Sequence, residues 1–193
     1  MRLYTILLFV HVSGAVCLFI GFGIWLFGST SIARAVQVEQ IRAIADLMLM
    51  VRLVVPISAL LVIAAGVAMT WIAWGFQTGW IMVALGSLAI IGPIGTWVVD
   101  PRVRAIANLA HALPDGSLPP ILSGRAHDSV LRMAIHMLIA MLFGILFLMT
   151  TKPSLVGGLG VMVVSALVGL VSGVPFLLAR QMPTTNATGK HHE

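Results

Sequence analysis

Residues 3–27 read LYTILLFVHVSGAVCLFIGFGIWLF, an uninterrupted apolar run with no Asp, Glu, Lys or Arg. A transmembrane helix needs ~20 such residues, so this stretch is long enough to cross a bilayer. It is also too long for the apolar core of a secretory signal, which spans about 7–15 residues. Arg2 before the run, and Ala33-Arg34-Ala35 after it, give only a faint likeness to a cleavable leader. The run is therefore expected to be a retained first helix.

Further along the chain, the same criterion picks out residues 53–74, 80–99, 131–150 and 155–179. The expected architecture is all-α: a polytopic membrane bundle of five transmembrane helices in one domain, residues 1–181. Residues 182–193 are polar and are expected to form a disordered cytoplasmic tail. Composition agrees, with 60% of the 193 residues hydrophobic and 9% charged. Soluble domains carry roughly 25% charged residues, and a soluble fold of this size could not hide so much apolar surface. The net charge of +5 does not point to nucleic acid, because the basic residues fall between the apolar runs, where they set topology.

Two connections, 75–79 and 151–154, are tight, whereas 28–52 and 100–130 are long and basic. If the long ones face the cytoplasm, the inside holds Arg34, Arg42, Arg52, Arg102, Arg104, Arg125, Arg132, Arg180 and Lys190. The outside then holds Arg2 and Lys152 alone. This bias predicts an outside N terminus and an inside C terminus, the usual orientation rule in a bacterial cytoplasmic membrane. Trp71, Trp74 and Trp80 then lie at the outer interface, with Trp25 and Trp97 at the inner one.

Residues 34–47 have helix-forming composition with apolar positions three and four apart, as in a cytoplasmic extension of the second helix. Asp100-Pro101 and Leu113–Pro120 read as turns, with a short helix over 102–112 between them. Gly92-Pro93 is placed to kink the third helix. Gly14 and Gly21 on the first helix, and Ser165, Gly169 and Gly173 on the fifth, allow close backbone approach. They could serve this chain, a second copy or a larger complex. The lone Cys17 sits in an apolar run and is read as a packing residue.

Candidate chemistry is sparse. No phosphate loop, His-Glu-x-x-His, nucleophile elbow or paired intramembrane carboxylate occurs. His11 and His136 are the histidines inside membrane helices, and imidazole is a common haem ligand. Counting 1.5 Å per residue from the expected helix centres puts His11 about 7 Å outward of the midplane and His136 about 7 Å inward. A separation of roughly 15 Å along the bilayer normal rules out one iron clasped by both. They are alternative or separate sites, and His11 is the first candidate for iron. Met69, Met82 and Met149 share its half of the membrane. The plainer reading of either histidine is a neutral ring bonded to a serine or carbonyl nearby, with Ser58 one candidate partner for His136. Arg52, Asp100, Arg102, Asp128 and Arg132 are expected to cluster at the cytoplasmic mouth, as a salt-bridge belt or as a gate beside His136.

Leu8 to Ala15, in the form Leu-x-x-His-x-x-Gly-Ala, resembles the start of the CopD-like and HemJ-like membrane proteins. Asp100-Pro101-Arg102 and Phe147 through Pro153 resemble more closely an uncharacterised bacterial family of predicted integral membrane proteins. The HemJ resemblance implies haem b, with a functional histidine at the position of His11. It also implies a lysine early in the third helix after a Trp-Leu-His-Val stretch. Here Trp80-Ile81-Met82-Val83 is followed by Ala84, which argues against the same oxidase activity and leaves haem binding open. The expected functions are haem b or tetrapyrrole binding for electron transfer or tetrapyrrole handling, an accessory or scaffolding subunit, or a small transporter or channel.

Overall fold

The computed structural model describes the backbone of residues 2–181 and the side chains of residues 2–173. The expected tail, 182–193, lies outside the described residues. The described chain is helical almost throughout: α1 (Arg2–Ile32), α2 (Val38–Met69), α3 (Gly79–Ile94), α4 (Asp100–Ala112), α5 (Pro120–Ala126), α6 (Ser129–Thr151) and α7 (Leu155–Gln181). Wide π turns follow α2 at Thr70–Trp74 and α3 at Gly95–Val99. Five helical stretches are long and apolar enough to cross a membrane, as expected.

Several boundaries moved. The first helix does not stop at Phe27 but continues to Ile32. The expected extension of the second helix exists and starts at Val38, so most of the stretch 28–52 is helix. Asp100-Pro101 is not a turn. Asp100 keeps helical angles (φ −55°, ψ −48°), and the chain passes from α3 through the π turn directly into α4. A proline near the start of a helix has no N–H that the helix needs, so it fits there without breaking the rod. Leu113 does leave the helix, with φ −102° and ψ 147°. The short helix α5 was not foreseen. At the other end, Lys152 adopts a left-handed φ of 49° and closes α6 with an N–H to the Leu148 carbonyl at 2.9 Å.

The helices pack as two intimate pairs, α1 with α2 and α6 with α7, with α3 leaning on the second pair. α6 is the most enclosed span and joins the pairs through α1. The small residues make these pairings. A Cβ on Gly14 would lie 3.0 Å from Val62 and 3.2 Å from the Ser58 carbonyl, and one on Gly21 would lie 2.6 Å from Val55. On Gly169 it would lie 2.5 Å from the Met137 backbone, and on Gly173 it would lie 2.8 Å from Met133. Ser165 faces Gly144 in the same seam. Both small-residue faces are thus occupied by neighbours in the same chain. The exposed surface is apolar, including Phe9, Val12, Val16, Val163 and Val171, as lipid requires.

The end bearing the long connections is closed by a small core of ordinary globular type. Ile41, Ala45 and Met48 on α2 are buried together with Val103, Ile106, Ala107 and Ala110 on α4 and Leu122 on α5. Arg42 reaches across to the Ala110 carbonyl (3.0 Å), the Leu113 carbonyl (2.9 Å) and Asp115 (2.7 Å), satisfying carbonyls that the end of α4 leaves open. The Val38 N–H donates to the Gly116 carbonyl, and the Gly116 N–H donates to Glu39. The opposite end, with the short connections, has no such plug among the described residues, and there the two helix pairs part.

Candidate functional site

Where the pairs part, a cavity of about 530 Å³ opens between α1, α2, α3 and α6. Its walls are almost wholly apolar, and it lies within the ~300–1,000 Å³ usual for small-molecule and cofactor sites. His11 lines it, with Phe19 and Leu88 among the apolar side chains of its walls. Tyr4, Thr70, Trp74, Trp80 and Lys152 line it as well. The π turn after α2 helps to build this wall, since Thr70 and Trp74 both belong to it. Such turns recur at functional sites because they re-aim side chains within a helix. Leu8, Val12 and Val16 are at once cavity lining and exposed, so the chamber opens sideways to the acyl-chain region.

His11 is held firmly. Its Nδ1 lies 2.8 Å from the Val62 carbonyl on α2. A carbonyl only accepts, so Nδ1 carries the proton, and Nε2 is left as the nitrogen with a free lone pair. The ring lies against Gly66, where a Cβ would come within 3.1 Å of Cε1. A carbonyl partner is what the plainer reading of His11 foresaw. It is also the usual support of a metal-bound imidazole, whose second nitrogen donates to a carbonyl or carboxylate. Met69 and Met149 line the same cavity, while Met82 does not. Ala84, which stands where the HemJ resemblance implies lysine, is buried in the wall.

His136 is elsewhere. It lines a separate groove of about 360 Å³ with Leu26, Ser165 and Ser172, which shares no residue with the first cavity. Its Nδ1 bonds the Arg132 carbonyl of its own helix at 2.8 Å. The structure therefore does not bring the two histidines to one site. The charged residues form two groups: Asp100 pairs with Arg52 (3.5 Å) and with Arg104, and Asp128 pairs with Arg102 (3.4 Å). Arg132 is buried one turn after Asp128. These pairs tie α2, α4 and α6 together at partly exposed positions, the geometry of a structural belt.

A haem group can be tested against these residues. Among the described residues no group of three or more His, Cys, Asp or Glu is placed to hold a metal ion. A metal ligated by the protein alone finds no cage there. A tetrapyrrole brings its own equatorial nitrogens and asks the protein for an axial ligand and an apolar slot. The first cavity has the slot, and His11 has the tautomer. The residues fit: His11 would hold the iron, and the group would supply one-electron redox chemistry.

An apolar five-helix bundle with a lipid-open chamber is a polytopic integral membrane protein. Residues 5–153 match the model of the family described as predicted integral membrane protein (DUF2269), and the chain belongs to that family. The match takes in α2 to α6 and nearly all of α1, and stops before α7. No curated protein and no solved structure matches the chain.

The residues that the sequence left unremarked are Val62, Gly66 and Tyr4. Lys152 was read as an outside cation and as part of the Phe147–Pro153 resemblance, not as a site residue. Its charge at the short-connection end was the available signal.

Proposed function

We propose that the protein binds haem b or a closely related tetrapyrrole in the cavity between α1, α2, α3 and α6, where His11 would hold the iron. It would serve electron transfer or tetrapyrrole handling. The observation that carries this reading is His11 lining a cofactor-sized apolar cavity while Nδ1 is committed to the Val62 carbonyl, which leaves Nε2 as the ring nitrogen open to a ligand. The likeness of Leu8–Ala15 to the first helix of HemJ-like proteins supports it. Ala84 in place of a lysine separates it from the oxidase reaction of those proteins. In this reading the cavity lies toward the outer face of a bacterial cytoplasmic membrane, as the basic residues of the long connections suggest.

The test is spectroscopic. Protein expressed in haem-replete cells and purified in mild detergent is expected to show a Soret band that shifts on reduction. His11→Ala should remove or strongly displace that band, while His136→Ala should leave it in place. A colourless wild-type preparation that also fails to take up added haemin would end the proposal. A spectrum indifferent to His11→Ala would reassign the ligand.

A further inference from the structure

Lys152 is the cation in the lining of an otherwise nearly neutral cavity. Its ammonium lies 4.4 Å from the centroid of the Trp74 ring, inside the ~6 Å range of cation–π attraction. Trp74 is itself held edge-to-face against Trp80, with centroids 5.6 Å apart, and its Nε1 donates toward the Tyr4 hydroxyl at 3.4 Å. The Lys152 backbone is fixed by its left-handed turn and the bond to Leu148, and Pro153 follows it. A flexible ammonium on a fixed base thus stands at an aromatic mouth.

What this ammonium lacks is a carboxylate. Glu39, Asp46, Asp100, Asp115 and Asp128 all belong to the long-connection end, and the remaining acid, Glu193, lies beyond the described residues. Among the described residues no carboxylate lies within ion-pair distance of Lys152. The described fold supplies no counter-charge at this cavity. Below the lysine the cavity is apolar and open to acyl chains, which fixes the rest of the visitor's chemistry.

We propose that the cavity takes an apolar molecule ending in a carboxylate, and that Lys152 leaves the Trp74 face to pair with that carboxylate, with the Tyr4 hydroxyl as a second donor. A single ammonium suits one carboxylate. No arginine lines the cavity, so it offers no fork for bidentate recognition of a phosphate. This deepens the haem reading, because a propionate is such a carboxylate, but it does not depend on iron. A free fatty acid has the same chemistry, and the experiment separates the two.

Full-length protein in phosphatidylcholine nanodiscs is titrated with haemin, with haemin dimethyl ester and with a fluorescent oleate analogue and its methyl ester. Wild type, Lys152→Met and Lys152→Arg are compared, with thermal unfolding followed in parallel. Lys152→Met should weaken the acids about tenfold or more, the loss of one charge-assisted bond, and leave the esters unchanged. Lys152→Arg should restore the acids. Lys152 is exposed, so the variants should unfold as wild type does. If oleate shows this pattern and haemin does not bind, the carboxylate site stands and the haem reading falls. If haemin binds but acid and ester respond alike to Lys152→Met, the haem reading stands and this proposal is overturned. If neither acid binds wild type, it is overturned as well.

Discussion

At the scale of single residues, the pair His11 and Gly66 sets what the cavity can do. The imidazole is held against α2 by the Val62 carbonyl and, one turn on, by the bare backbone of Gly66. Gly66 is required for close approach, not for a special backbone angle, since it sits inside α2. Adding a methyl group there would put it 3.1 Å from Cε1, tight enough to push the ring by a few tenths of an ångström. Gly66→Ala should therefore lower haem affinity about tenfold, the low end of what is lost when the support of a metal-bound imidazole is disturbed. Helix content should not change, because alanine favours the helix. The comparison is haemin titration beside far-ultraviolet circular dichroism; unaltered affinity would mean that the ring position does not matter to the ligand. None of this was readable from sequence. His11 was, because an ionisable residue in an apolar run is conspicuous. Val62 and Gly66 lie 51 and more residues away and are ordinary helix constituents until α1 is laid against α2.

Among the elements, α6 organises the bundle, and its start carries a side-chain cap. Asp128 Oδ1 accepts from the Val130 and Leu131 N–H groups at 2.9 and 3.1 Å, while Oδ2 faces Arg102 at 3.4 Å. Helix capping and ion pairing can be separated here. Asp128→Ala removes both and should cost about 0.5–2 kcal/mol, the usual value of an N-cap. Asp128→Asn keeps the cap and loses the charge, and should recover most of that cost, because partly exposed ion pairs contribute only about 0–1 kcal/mol. Reversible unfolding in mixed micelles measures both. If Asn is as damaging as Ala, the charge of Asp128, set against Arg102 and the buried Arg132, outweighs the cap. The spans themselves were legible because length and hydropathy decide them. Their ends were less so: Asp100-Pro101 has the composition of a turn, yet the preceding π turn lets the helix run through it. Arg42 could not be placed at all, since its carbonyl partners on α4 lie 68 residues or more away.

At the scale of the whole molecule, the two ends of the bundle are chemically opposite. One is stitched by Arg42, Glu39 and the Asp100 and Asp128 pairs over a buried core; the other is aromatic, holds Lys152 and opens into the cavity. The small-residue stripes read from sequence as candidates for any partner; they are used within the chain because α1–α2 and α6–α7 are the closest pairings the short turns and glycines allow. The cavity is a product of this arrangement and could not be seen in any one helix. Which end faces out is a proposal that rests on the basic residues of the long connections, through the energetics of insertion rather than through any contact in the fold. It can be tested with single cysteines in a Cys17→Ser background. Gln77→Cys and Ser154→Cys mark the cavity end; Val36→Cys and Gly124→Cys mark the other, and all four native positions are exposed. A membrane-impermeant maleimide applied to intact cells (spheroplasts where an outer membrane intervenes) should modify the first two and reach the second two only after lysis. The reverse pattern would put the cavity on the cytoplasmic side, and any amphiphile with a carboxylate head would then have to approach Lys152 from within the cell.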